Sequence, residues 1–88
     1  MKFEYDPNKS KQNQLKHGLD FEEAQELWQD SNRVEISAKS IDEPRFMVIA
    51  KLKERCWSAI VTYRQNNQII RIISVRRSKD SEVKLYES

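Results

Sequence analysis

Between Arg45 and Arg77 three β-prone segments follow one another with only short polar turns between them. Arg45–Leu52, Cys56–Arg64 and Gln68–Arg77 are rich in Val, Ile and aromatic residues, the types that suit a pleated, half-buried surface. Lys53-Glu54-Arg55 separates the first two. Asn66-Asn67 leads into the third, and asparagine tolerates the positive φ that tight hairpins need. Strands joined by turns this short form an antiparallel meander.

The last of these segments combines an apolar body with Arg71, Ser74, Arg76 and Arg77. In a regular strand Ile69, Arg71, Ile73, Val75 and Arg77 share one face, and Ile70, Ile72, Ser74 and Arg76 the other. Guanidinium groups held on a rigid strand suit bidentate capture of phosphate oxygens. Arg71 and Arg76 have opposite parity, so they serve one site only if the strand bends or one arginine turns around its end. The competing reading is that these arginines are simply solvated or pair with carboxylates.

The N-terminal half carries the helical signals. Lys2–Tyr5 alternates as a short first strand. Asp6 then caps a helix from Pro7 to about His17, with proline suited to the first turn and Lys16-His17 to the negative end of the helix dipole. That helix is polar almost all round, with Leu15 its main apolar contact, and belongs on the surface. Gly18, the single glycine, falls where a left-handed stop is wanted. Asp20 and Glu23 have capping-box spacing for a second helix, which ends near Asp30-Ser31-Asn32. Phe21, Ala24, Leu27 and Trp28 recur at helical spacing and face the core. Val34–Ala38 is a further strand, Ser40–Pro44 a loop. Ser78 or Asp80 can cap a last helix that docks through Val83, Leu85 and Tyr86. The expected order is β-α-α-β-β-β-β-α. It makes an α+β single domain over residues 1–88: a twisted antiparallel sheet, two helices on one face, and a short C-terminal helix.

With 88 residues the chain suits one domain. Its apolar runs are too short to span a bilayer, so no membrane partner is expected. The opening Met1–Asp6 is acidic and no apolar run follows, so no secretory leader is expected. Cys56 stands alone, which rules out a disulfide framework and points to a reducing cytoplasm. Charge is segregated. Residues 1–44 hold six basic and ten acidic groups, while residues 45–79 hold nine basic groups and a single acid, Glu54. A +8 excess in the strand region attracts a polyanion or an acidic protein, unless acids elsewhere pack against it.

Several spaced residues resemble the BrnT family of bacterial type II toxins. Tyr5-Asp6-Pro7-Asn8-Lys9, Asn13, Lys16-His17-Gly18 and Phe21-Glu22-Glu23-Ala24 match the opening of that family. Arg71-Ile72-Ile73-Ser74 with Arg76 is similar to its second signature, and Glu82 with Tyr86 to its C-terminal helix. Val75 and Ser78 stand where the family prefers alanine. The resemblance covers most of the chain except about Arg33 to Pro44. It implies a RelE-like fold, ribonuclease activity that blocks translation, and a cognate BrnA-like ribbon-helix-helix antitoxin. That antitoxin neutralises the toxin, binds operator DNA on its behalf, and admits a toxin–antitoxin heterotetramer.

The residues themselves constrain the chemistry. One His, one Cys and no close carboxylate pair offer no ligand set, so metal-independent cleavage without a cofactor is expected. In such a reaction the 2′-hydroxyl attacks the adjacent phosphate. A base takes its proton, cations stabilise the phosphorane, and an acid protonates the leaving oxygen. Arg71 and Arg76 are the candidate phosphate clamps. Arg45, Arg64, Ser74 and Arg77 are candidate RNA contacts. His17, Tyr86, Lys51 and Glu54 are the candidates for proton transfer. Histidine is the side-chain type that exchanges protons near neutral pH, although a helix-terminal histidine also serves the dipole alone. Trp57 and Tyr63 can stack bases or fill the core. A non-enzymatic RNA- or DNA-binding domain and a protein-interaction module use the same basic surface and remain the alternatives.

Overall fold

A computed structural model describes residues 2–88. Five strands form one sheet in the order β1-β5-β4-β3-β2. They are β1 (Lys2–Glu4), β2 (Val34–Ala38), β3 (Arg45–Leu52), β4 (Arg55–Arg64) and β5 (Ile69–Arg77). The meander β2 to β5 is antiparallel throughout. The sheet is mixed at one edge, because β1 joins β5 in parallel. A parallel pair needs a long crossover, and the whole of residues 5–68 supplies it.

Helix α1 (Pro7–His17) starts where Asp6 accepts the Asn8 amide at 2.8 Å and ends at Gly18, whose φ is 85°. Side chains strain in that left-handed region, which glycine enters freely. The expected apolar anchor of α1 is a correction: Leu15 is 82% exposed. The helix docks instead through two buried polar side chains. Ser10 Oγ accepts the Phe21 amide at 2.9 Å, and Asn13 Nδ2 donates to the Leu19 carbonyl at 2.7 Å while its Oδ1 accepts the Val75 amide at 3.2 Å. Polar residues can hold a helix in place when every buried group is paired.

The second expected helix divides. Helix α2 (Phe21–Ala24), capped by Asp20, tightens into a 3-10 helix over Gln25–Gln29. Phe21, Ala24 and Leu27 point into the core as expected, with Leu19 beside them. They pack on Val48, Ala50, Trp57, Ala59, Val61, Ile70, Ile72 and Val75. Trp57 is therefore a core residue, and Tyr63 lies at the margin of the same face against Phe46.

Helix α3 (Asp80–Glu87) lies across the opposite face of the sheet. Its first turn begins after Lys79 rather than Ser78 or Asp80, because the Lys79 amide donates to the Glu82 carboxylate at 2.9 Å. Tyr86 docks by its hydroxyl and Val83 is half-buried, whereas Leu85 is exposed. The sheet thus carries helices on both faces, and part of the second face stays open.

Candidate functional site

The irregularity that shapes the site is a β-bulge in β5. Ile60 pairs with Ser74 and Val61 with Ile72, so Ile73 is the extra residue. Bulges add one residue to one strand and reset which side its neighbours occupy. Ile70 and Ile72 face the core before the bulge, and Val75 faces it afterwards. Arg71, Ser74 and Arg76 consequently share the face opposite the core. The parity conflict expected of a regular strand does not arise. The partners Thr62 and Ser58 lie four positions apart in β4, which places the Cα atoms of Arg71 and Arg76 about 13 Å apart.

Cross-strand register turns that face into rows. Thr62, Arg71 and Glu4 form one row, with Arg45 just beyond the Phe46–Val61 pair and Thr62 Oγ1 donating to the Pro44 carbonyl at 3.0 Å. Ile36, Met47, Ile60 and Ser74 form the next. Val34, Ile49, Ser58 and Arg76 form the third, which runs beneath α3.

Both central arginines already hold carboxylates. Arg71 Nη1 donates to Glu4 Oε1 at 2.7 Å, and Arg64 Nε lies 3.3 Å from the same oxygen. Arg76 makes two parallel bonds of 2.8 Å to Glu82. Glu82 is buried, and it also accepts the Ser58 hydroxyl at 2.8 Å and the Lys79 amide at 2.9 Å. The Arg76 bonds lead in holding its carboxyl down to about 2, against the opposing pull of burial, with Lys79 and Ser58 adding to them. Arg76 is correspondingly pushed up by the same pair.

The proton-transfer candidates separate in space. His17 and Ser74 line one shallow hollow between α1 and β5. Tyr86 and Lys51 come together elsewhere, beneath α3. The Tyr86 hydroxyl donates to Asp30 Oδ2 at 2.6 Å, and Lys51 Nζ stands 5.9 Å from its ring. The bond to Asp30, then burial, pushes the Tyr86 phenol up to about 12. Burial pushes the Asp30 carboxyl up, but the bonds from Tyr86 and from the amides of Lys51 and Asn32 outweigh it and hold it low. Glu54 sits on the tip of the two-residue β3–β4 hairpin, with φ of 67°, and is exposed. It lies about 26 Å along the strand from the Arg71 row, too far to share a site with it. Arg45 is half-buried beside the β2–β3 loop, and its Nε has no partner among the described residues. Arg77 turns to the core face at the strand end, 5.8 Å from the Trp57 ring. Burial pushes the Cys56 thiol up, which disfavours the thiolate. Among the described residues no three of His, Cys, Asp and Glu gather as a metal-ligand set.

Sequence reasoning missed Glu4 and Asp30. Nothing local says that β1 will lie beside β5, so the pairing of Glu4 with Arg71 is a product of topology. Asp30 showed only a turn signal, and its links to Lys51 and Tyr86 span 21 and 56 positions.

A family model described as the ribonuclease toxin, BrnT, of type II toxin-antitoxin systems matches residues 5–82. The chain belongs to the BrnT family. A search of curated proteins finds no match. The matched span runs from Tyr5 through α1 and the bulge to Glu82, so it contains Arg71, Ser74, Arg76, His17 and Glu82 but not Glu4 or Tyr86. As a BrnT toxin the chain is a ribonuclease toxin with a cognate antitoxin as its partner. No helix among the described residues is long and apolar enough to cross a membrane.

Proposed function

We propose that this BrnT toxin is a cytoplasmic, metal-independent endoribonuclease whose RNA lies on the sheet face bearing Arg71, Ser74 and Arg76. The observation that carries the reading is the bulge at Ile73, which brings those three side chains to one face beside the hollow that holds His17. Arg71, supported by Arg64, stabilises the charge that develops on the phosphorane. Ser74 hydrogen-bonds a phosphate oxygen. His17 exchanges the proton: the 2′-hydroxyl loses it, the new 2′-oxygen–phosphorus bond forms, and the 5′-oxygen leaves protonated. Arg76 grips a neighbouring phosphate when Glu82 releases it. Arg45 extends the row, whereas Arg77, on the other face over Trp57, stands outside it. Tyr86, Lys51 and Glu54 stand outside this site: the first two anchor α3 to Asp30, and Glu54 caps a hairpin. The reading further assigns a ribbon-helix-helix antitoxin that covers the face, represses the operon and forms a heterotetramer with the toxin.

The test is induction in a bacterial host with and without the neighbouring gene, followed by incubation of purified protein with total RNA in EDTA. Arrest relieved by the neighbour, with cleavage in EDTA that Arg71→Ala abolishes in a folded protein, is the expected result. Salt-sensitive RNA binding without cleavage would instead support a non-enzymatic binding domain. Absence of both would leave a protein-interaction module.

A further inference from the structure

The arginines at the centre of the proposed RNA face are not its free cations. Arg64, Arg71 and Arg76 each face a carboxylate within 3.3 Å. Helix α1, by contrast, carries Lys9, Lys11, Lys16 and His17 and not one acid between Pro7 and His17. Its flanking acids are occupied at home, Asp6 on the Asn8 amide and Asp20 on the Glu23 amide. Lys9, Gln12 and Lys16 follow at positions i, i+3 and i+7, which lines them along one ridge of the helix. Neither lysine forms an ion pair among the described residues.

That ridge borders the hollow between α1 and β5, which encloses about 270 Å³. No carboxylate lines it. Ile73 and Ser74, brought forward by the bulge, complete its wall. Asn13 is committed to the Leu19 carbonyl and the Val75 amide, so it fixes the helix at this distance and leaves the hollow to the other side chains. The result is a cationic ledge with amide, hydroxyl and imidazole groups, held rigidly against the strand. Ser74 belongs both to this ledge and to the face between Arg71 and Arg76, so the two surfaces are continuous.

We propose that Lys9, Gln12 and Lys16, with Ser74 at the wall, form a subsite for the phosphodiester backbone of single-stranded RNA. The inference rests on the ribonuclease reading and adds to it a contact surface on a different element. Lysine ammonium groups bind phosphate as point charges and carry no base preference, so the subsite positions the strand without reading its sequence.

Binding is measured with a fluorescent 2′-O-methyl single-stranded RNA, which cannot be cleaved because the attacking hydroxyl is blocked. Titrations across a salt series compare the wild type with Lys9→Gln/Lys16→Gln and with Lys11→Gln/Lys84→Gln, a control pair outside the hollow. Each lost phosphate contact lowers the log–log salt slope by about 0.7, so the first pair loses about 1.4 in slope and about 10- to 30-fold in affinity at 0.1 M salt. The control pair changes little, and circular dichroism shows all three folded. Wild-type slope and affinity in Lys9→Gln/Lys16→Gln would overturn the subsite while leaving wild-type cleavage, measured separately on natural RNA, to support the ribonuclease reading. Failure of the wild type to bind the probe would overturn the subsite, and absence of cleavage of natural RNA would separately overturn the ribonuclease reading. Loss of antitoxin binding with RNA binding unchanged would assign the ledge to the protein partner and overturn the proposal.

Discussion

At Tyr86 a single hydroxyl decides between a chemical and a structural role. Its proton is donated to Asp30, and that bond holds the phenol near 12, so it stays neutral and engaged at physiological pH. The sign follows directly. A raised pKa stabilises the fold at every pH below the ordinary tyrosine value of 10, and the contribution fades only as pH climbs through about 12. Tyr86→Phe is therefore expected to lower stability by about 1 kcal/mol, or roughly 4–8 °C in Tm. RNA cleavage per folded molecule should stay within a few-fold. A melting curve paired with initial cleavage rates checks this, and a loss of rate far larger than the loss of folded protein would return Tyr86 to the site. Asn13 gives the complementary case of a buried polar group. Asn13→Ala removes the partners of the Val75 amide and the Leu19 carbonyl together. Two unpaired buried groups cost about 3 kcal/mol, which would lower Tm by more than about 10 °C in differential scanning calorimetry.

Helix α3 is fastened to the sheet by the contacts of Glu82 with Arg76 and Ser58, while the Lys79 amide closes its first turn on the same carboxylate. Because the carboxyl is depressed from 4.5 to about 2, its contribution is complete above the unfolded value and disappears as pH falls from about 4.5 through 2. At neutral pH that depression corresponds to about 3 kcal/mol. Urea unfolding of wild type and Glu82→Gln should differ most above pH 5 and converge towards pH 2; a constant difference across that range would show that the ionised pair does not hold the helix. The elements also mark how far the sequence could be read. Strand and helix limits followed from turn residues, caps and apolar spacing, because those signals are local. The bulge at Ile73 has no such signal: Ile72-Ile73 is as strand-like as its neighbours, and only the pairing with Ile60 and Val61 reveals the extra residue. Reading β5 as regular therefore put Arg71 and Arg76 on opposite faces. The docking of α1 was hidden for a related reason, since Ser10 and Asn13 look solvated until their distant partners are in place. His17 and Ser74, which the sequence singled out separately, meet only because α1 packs on that irregular part of the strand.

Across the whole molecule, folding cancels much of the charge asymmetry seen along the chain. The basic region at residues 45–79 meets acids from both ends: Glu4 from β1 sits on Arg71 and Arg64, Glu23 approaches Lys53, and Glu82 from α3 grips Arg76. Those pairs differ in what they contribute. Glu82 is largely buried, whereas the Glu4 side chain is 39% exposed and faces the solvent, where an ion pair adds at most about 1 kcal/mol. Glu4 therefore matters less for stability than for the field it masks. Glu4→Gln frees two guanidinium groups on the proposed RNA face at little cost to the fold. The expected outcome is tighter binding of single-stranded 2′-O-methyl RNA, a salt slope steeper by about 0.7 for each phosphate newly contacted, and a Tm within a few degrees of wild type. Cleavage of natural RNA at low substrate should rise in step with affinity, since the unmasked charge acts on the same phosphates. If the slope and affinity stay unchanged in a folded Glu4→Gln protein, Arg71 and Arg64 do not face RNA, and the sheet face loses its claim as the binding surface. The same variant also separates the two cationic regions: a gain that persists in the Lys9→Gln/Lys16→Gln background places the arginine row and the α1 ledge on different phosphates of one strand.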